Sequence, residues 1–245
     1  MIIMPIKTNI FKEGDDLAFF IESNIKTIKE GSILAVTQKI VSLAERRTVL
    51  ITDEFTKEKI IKQESQYAMR TKYAWLTIRE GMVMSAAGVD ESNAQGKLIL
   101  LPKDSFQTAA ELRKKLMKRY KLKKIGVIIT DSRLLPLRAG ITGVALGYAG
   151  FRGLEFHKGK NDIFGRPIKS ARTDVADSLA GIAVLAMGEG SERRPLAIIE
   201  DAEVKFIDKI NKKELLIDVK DDRYQPLFEK IKKIRLIKGK RHFEI

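Results

Sequence analysis

The sequence predicts an α+β protein with a mixed sheet, and three observations carry that reading. Short, branched, apolar runs such as "GSILAVT" (31–37), "KIGVIITD" (124–131) and "PLAIIE" (195–200) have the length and composition of buried strands. Between them lie segments whose apolar residues recur at helical spacing. The two kinds alternate too irregularly for a doubly wound parallel sheet, which leaves the mixed class.

Taken in order, "GSILAVT" is a strand and "QKIVSLAERR" (38–47) continues with helical spacing. "FTKEKIIKQESQYAMR" (55–70) predicts a polar amphipathic helix. "YAWLTIREGMVMSAAG" (73–88) reads as two strands or a hairpin around "REG", and its "SAAG" implies close backbone approach. A helix follows over 105–120, with Ser105 as its cap and lysines gathered near its C-terminal end, where the dipole favours them. "KIGVIITD" is a strand ending at Asp131, followed by a loop with two arginines and a proline. "GITGVALGYAGF" (140–151) is a glycine-punctuated strand whose face lies against another backbone. "TDVADSLAGIAVLAMGEG" (173–190) predicts a buried helix capped by Thr173 or Asp174 and ended by Gly188 or Gly190. The strongly charged tail from about residue 205 holds one amphipathic helix, "QPLFEKIKKIRLI" (225–237).

With no cysteine, disulfides, thiolate metal sites and cysteine nucleophiles are excluded. No apolar run reaches the roughly 20 residues that cross a bilayer, and the N-terminus is not patterned as a secretory signal, so a cytoplasmic protein is expected. The net charge of +14 favours anionic partners. The basic residues are spread along the chain, and neither a zinc-finger spacing nor an aromatic-basic ribonucleoprotein motif accompanies them, so nucleic acid is not the expected partner.

Three carboxylates sit where apolar segments break: Asp90 in "SAAGVDESN", Asp131 at the end of "VIITD", and Glu189 in "MGEG". Such acids are costly to bury unless paired or bound to a cation. With the Ser132 hydroxyl they would form a hard-oxygen set for Mg²⁺ or Mn²⁺. Each also has an ordinary reading: turn former, helix cap, or, for "GEG", a plain helix terminus. Asn93 is placed to close an Asx turn, and "GEG" could offer backbone N–H groups to a phosphate beside Arg193 and Arg194. "HKGKNDIFGRPIK" (157–169) is either an anion-binding loop or a solvated basic turn.

In order along the chain, "EGDDL" (13–17), "GSILAVTQKIVSLAE", "AGVDESN", "LLPKD" (100–104), "IGVIITDS", "LRAGITGVALG", "DIFGR", "VADSLA" and "MGEG" resemble the coenzyme F420:L-glutamate ligase (gamma-glutamyl ligase) family. The resemblance implies an α+β fold peculiar to that family, over residues 1–204, forming an intertwined homodimer, with 205–245 a charged extension packed on it. It implies GTP and Mg²⁺ or Mn²⁺, often with K⁺, and addition of L-glutamate to a phosphate-bearing acceptor, coenzyme F420-0 or a related compound, through an acyl phosphate. By position, the implied metal ligands are Asp90, Asp131, Ser132 and Glu189. The implied nucleotide contacts are Thr8, Asn9, Ile10, Phe11, Gln38, Lys39, Asn93, Met187, Gly188, Glu189, Gly190, Ser191, Glu192, Arg193 and Arg194. Lys39 and Arg138 would neutralise charge developing in phosphoryl transfer. The chain departs from the pattern at Leu43, where the family commonly has lysine, in "TNIF", and in "TDSRLLPLRAG", where Ala139 replaces an arginine. Those departures keep a second reading open, a non-catalytic nucleotide- or anion-binding protein on the same fold.

Overall fold

The computed structural model describes residues 1–51 and 53–228. In chain order these form β1 (Ile2–Ile6), α1 (Leu17–Asn24), β2 (Ile33–Thr37), α2 (Gln38–Ala44), β3 (Thr48–Leu50) and α3 (Glu54–Gln63). There follow β4 (Tyr67–Arg70), β5 (Trp75–Arg79), β6 (Met82–Ser85), β7 (Lys97–Ile99) and α4 (Ser105–Tyr120). The rest are β8 (Gly126–Leu134), β9 (Ile141–Ala149), β10 (Leu154–Phe156), β11 (Arg172–Asp174), α5 (Val175–Met187), β12 (Leu196–Glu200) and α6 (Gln225–Phe228). The expected tail helix (225–237) is helical at its start, Gln225–Phe228, and its remainder lies outside the described residues. No helix among the described residues is long and apolar enough to cross a membrane. The chain divides into two units, one of Met1–Arg46 with Pro102–Leu215, the other of Arg47–Leu101 with Leu216–Ile245.

The first unit is built on a sheet of order β1-β12-β2-β8-β9. Only β2 and β8 are parallel; the other neighbours are antiparallel, so the sheet is mixed, as the sequence predicts. Both faces are covered, which is why β2 and the first half of β8 are apolar throughout. One face packs Leu34, Val36, Val127 and Ile129 against α1, α2 and α4. The other packs Ile33, Ala35, Ile128 and Ile199 against α5, with Tyr148 and Phe151.

The helices approach through glycines of β9, as its sequence implies. A Cβ at Gly143 would strike the Ala180 carbonyl of α5, and one at Gly147 would strike the backbone where α4 begins. Helix α4 is capped not by Ser105 but by Asp104, whose Oδ1 accepts from Gln107 N at 2.8 Å. At α5 the cap is Asp174, which accepts from Asp177 N at 2.9 Å. Strand β8 does not end at Asp131. It pairs with β9 as far as Leu134 opposite Ile141, because the ladder continues past the residue where the apolar run stops.

Residues 202–215 lie against the second face, where Phe206, Ile210 and Leu215 pack. There Glu214 Oε1 accepts from the Tyr148 hydroxyl at 2.7 Å and from Gly153 N at 2.8 Å.

In the second unit β4-β5-β6 form an antiparallel sheet and β3 pairs with β7. The hairpin around "REG" is present, with Arg79 opposite Met82. Ala86 and Ala87 both have positive φ in the turn that follows. The helix expected over 55–70 stops at Gln63, and Tyr67–Arg70 pairs with β5 instead; cross-strand partners override the helical spacing there. Glu64, just past that helix, accepts from Arg47 Nη2 at 2.6 Å and from Arg79 Nη1 at 2.5 Å.

Candidate active site at one sheet edge

The strand directions bring distant segments together. β2 and β8 end at the same edge of the first sheet. β12 runs antiparallel to β2 and so begins there, while β1, antiparallel to β12, ends there. In open sheets with a parallel pair, ligands bind beyond such carboxyl ends. The segments leaving this edge are 7–11 after β1, the start of α2, the far half of β8, and the loop 188–195 before β12. Of the sequence-predicted residues, Thr8, Asn9, Ile10, Phe11, Gln38, Lys39, Asp131, Ser132 and 188–194 all fall in these segments, and Met187 is the last residue of α5.

Contacts among them are direct in places. Ser132 Oγ donates to Glu189 Oε1 at 2.5 Å, joining β8 to the loop after α5. Thr8 N donates to Arg193 O at 2.9 Å, and Thr37 N to Pro195 O at 3.0 Å. Glu192 Oε2 accepts from Gly190 N at 2.8 Å, so one N–H of the "GEG" loop is already used by a carboxylate of the same loop.

The predicted residues divide by exposure. Phe11 is buried and stacks edge-on with Phe20, Gln38 is buried and accepts from Ser42 Oγ, and Met187 belongs to the core. Leu43 packs on the core as well, filling with hydrocarbon the position where a lysine was expected. Ile10, Gly188, Ser191, Arg193 and Arg194 are exposed.

Asp131 and Ser132 are adjacent on a strand, so their side chains face opposite ways. Ser132 meets Glu189, whereas Asp131 Oδ2 lies 3.3 Å from Arg133 Nη2. Arg138 stands on the exposed loop joining β8 to β9, beyond Leu134, the end of β8. Leu134 itself lies about 13 Å past Thr130, the last β8 residue paired with β2, taking ~3.3 Å per strand residue.

Asp90 and Asn93 belong to the second unit. Asp90 forms an antiparallel bridge with Ile99, and its Oδ1 accepts from Ser92 N at 2.7 Å. The Asx turn expected of Asn93 is closed by Asp90 instead, while Asn93 has a φ of 57°. Among the described residues no three or more histidine, aspartate or glutamate side chains gather so as to hold a metal ion by themselves. In the loop 157–169 Arg166 pairs with Asp162, while Lys160 reaches Glu155 and the His157 ring meets Thr173 Oγ1, both outside the loop.

The sequence reading gave Asp174 only as a helix cap and did not name Asp177. Asp174 and Asp177 sit at the start of α5, and Asp177 Oδ1 accepts from Ala145 N at 2.8 Å where β9 is bulged. Burial pushes the Asp174 carboxyl up to about 6. Burial raises Asp177 as well, against the Ala145 hydrogen bond and the positive charge of Arg133.

Residues 5–201 match the F420-0:Gamma-glutamyl ligase family. The chain belongs to that family. Membership makes it a ligase forming carbon–nitrogen bonds. Relatives named coenzyme F420:L-glutamate ligase include one from Methanopyrus kandleri, 34% identical over 214 residues, covering 80% of this chain and 84% of the relative. One from Methanococcus maripaludis strain C6 is 33% identical over 216 residues, covering 81% and 86%. One from Methanocaldococcus jannaschii is 29% identical over 222 residues, covering 83% and 89%.

Proposed function

We propose that this ligase joins L-glutamate to coenzyme F420-0 or a closely related phosphate-bearing acceptor, using GTP and a divalent cation. The observation that carries the reading is the Ser132–Glu189 contact, made at the sheet edge where the family-matched segments converge. A carboxylate is a poor electrophile, so the acceptor carboxylate first takes the nucleotide γ-phosphoryl group, releasing GDP. The glutamate amine then displaces phosphate and forms the amide.

The donor chemistry suits a hard cation, since Glu189 and the Ser132 hydroxyl, which meet at the edge, offer oxygen alone, and Asp131 adds a carboxylate from the other face of the same strand. Glu189 and Ser132, with Asp131, would hold Mg²⁺ or Mn²⁺, and the bound ion would shield the charges of the triphosphate. The basic residues Lys39, Arg193 and Arg194 supply further positive charge to the same edge. K⁺ would be an accessory ion.

Arg138 is assigned to the site of a second copy of the chain. It rides on a hairpin end whose Leu134, Leu135, Leu137 and Ile141 are all exposed, an apolar tip suited to burial between copies. A homodimer by light scattering is therefore expected.

The decisive experiment is calorimetric titration of GTP with and without Mn²⁺, alongside glutamate-dependent phosphate release with coenzyme F420-0. Metal-dependent binding and release support the ligase reading. Binding with no release across acceptors would favour the non-catalytic alternative.

A further inference from the structure

The two halves of β9 present opposite faces. Gly147 stands opposite Ile129 and Ala145 opposite Thr130, so Leu146 is an extra residue with no partner on β8. Such a bulge shifts the alternation of the strand by one. The packing follows the shift. Gly143 and Gly147 are four residues apart and would share a face on a regular strand, yet Gly143 abuts α5 and Gly147 abuts the start of α4. Ala145 and Tyr148, three apart, both join the core beneath α5.

A bulge interrupts the ladder, and at this one the Ala145 N–H donates to Asp177 Oδ1 at 2.8 Å. Asp177 lies in the first turn of α5, where its own N–H donates to Asp174 Oδ1 at 2.9 Å. One turn further on, Ala180 presents its carbonyl to Gly143, which is paired with Ser132. Without the bulge β9 would pair one residue out of step, and Val144 would stand opposite Ser132. That position has no room for a side chain, since even a Cβ strikes Ala180. Helix α5 would be pushed off the strand, carrying Glu189, two residues past its end, away from Ser132.

We propose that Asp177 is a positioning residue for the reaction at this edge: it holds the bulge in β9, seats α5 on Gly143, and so brings Glu189 to Ser132. The inference rests on the reading of that edge as the ligase site. An acid that merely complemented the helix dipole would act through its charge and not through Ala145.

The test combines amide hydrogen exchange at Ala145, read by NMR on the full chain, with glutamate-dependent phosphate release from GTP and coenzyme F420-0. Asp177→Ala removes the acceptor, whereas Asp177→Asn removes the charge and keeps an acceptor oxygen. Unfolding curves set a temperature at which every variant is folded; if Asp177→Ala does not fold, Asp177→Ser takes its place. Slow exchange at Ala145 is expected in the unaltered chain and in Asp177→Asn, and fast exchange in Asp177→Ala. The kcat should fall roughly 10–100-fold in Asp177→Ala and be largely restored in Asp177→Asn. A lowered unfolding temperature with the kcat of folded Asp177→Ala unchanged overturns the proposal. An equal loss in both variants also overturns it, because charge and not the hydrogen bond would then matter. So does an Ala145 amide that exchanges freely in the unaltered chain. If the unaltered chain releases no phosphate, the ligase reading itself is wrong, and the role of Asp177 falls with it whatever the exchange shows.

Discussion

Ser132 and Glu189 are 57 positions apart in the chain, yet the serine hydroxyl donates to the glutamate carboxylate at 2.5 Å. This bond closes the first unit's sheet edge, linking a strand end to the loop that leaves α5.

Because the pair is exposed, removing it should barely change stability, by less than about 1 kcal/mol. Nucleotide binding should respond far more. Glu189→Gln is expected to weaken Mn²⁺-dependent GTP binding at least tenfold, about 1.4 kcal/mol, and Ser132→Ala by less. Calorimetry with unfolding curves on the same samples separates the two effects.

Asp174 gives a pH signature. Its folded carboxyl titrates at about 6, above the ordinary value of 3.8, because burial disfavours the charged form. The folded state thus holds a proton that the unfolded state has released between those values. The stability this group contributes is present below pH 3.8 and is lost as pH rises through about 6. Asp174→Asn keeps a capping side chain at α5 and removes the charge. Its unfolding temperature should exceed that of the unaltered protein at pH 7.5, and the advantage should vanish near pH 4. Scanning calorimetry across that range is the check.

Gly143→Ala should be severe for a conservative change. The added methyl would meet the Ala180 carbonyl and Val184, forcing α5 away from β9. A loss of about 1–3 kcal/mol is expected in urea unfolding. Gly159→Ala, where a Cβ would meet nothing within 4 Å, tests only the left-handed backbone and should cost about 1 kcal/mol.

In the second unit Glu64 serves two arginines, of which Arg79 is the more buried. Glu64→Ala leaves that guanidinium only the longer contact with Glu80, at 3.6 Å, and should cost about 2–3 kcal/mol. The double variant Glu64→Ala with Arg79→Met should recover part of the loss, which a double-mutant cycle in denaturant will measure.

The mixed sheet could be read from the sequence because its central strands are buried on both faces and announce themselves as unbroken apolar runs, as in 33–36 and 126–129. Glycines 143 and 147 signalled the close packing of β9 for an equally direct reason, the missing side chain. Local composition failed where a partner strand decides the outcome. Tyr67–Arg70 has helical spacing but pairs with β5, and Asp131–Leu134 is polar or exposed yet stays on the ladder with β9. That second miss hid Arg133, because only a strand continuing past Asp131 sets the two residues on one face. Asp104, rather than Ser105, capping α4 is a one-residue error of the ordinary kind. The paired carboxyls of Asp174 and Asp177 left no sequence signal beyond a helix cap, since burial raises their titration and burial is not written locally.

Leu100 donates its backbone N–H to the Arg47 carbonyl at 2.9 Å, and the Arg47 side chain reaches the Leu101 carbonyl at 3.1 Å. The excursion from 47 to 101 therefore departs and returns through one stapled neck. A segment anchored that way can be lengthened, traded or excised in evolution with the ends of its host left where they were. The turns between those two ends can therefore change in length while the backbone at 47 and 100 keeps its pairing.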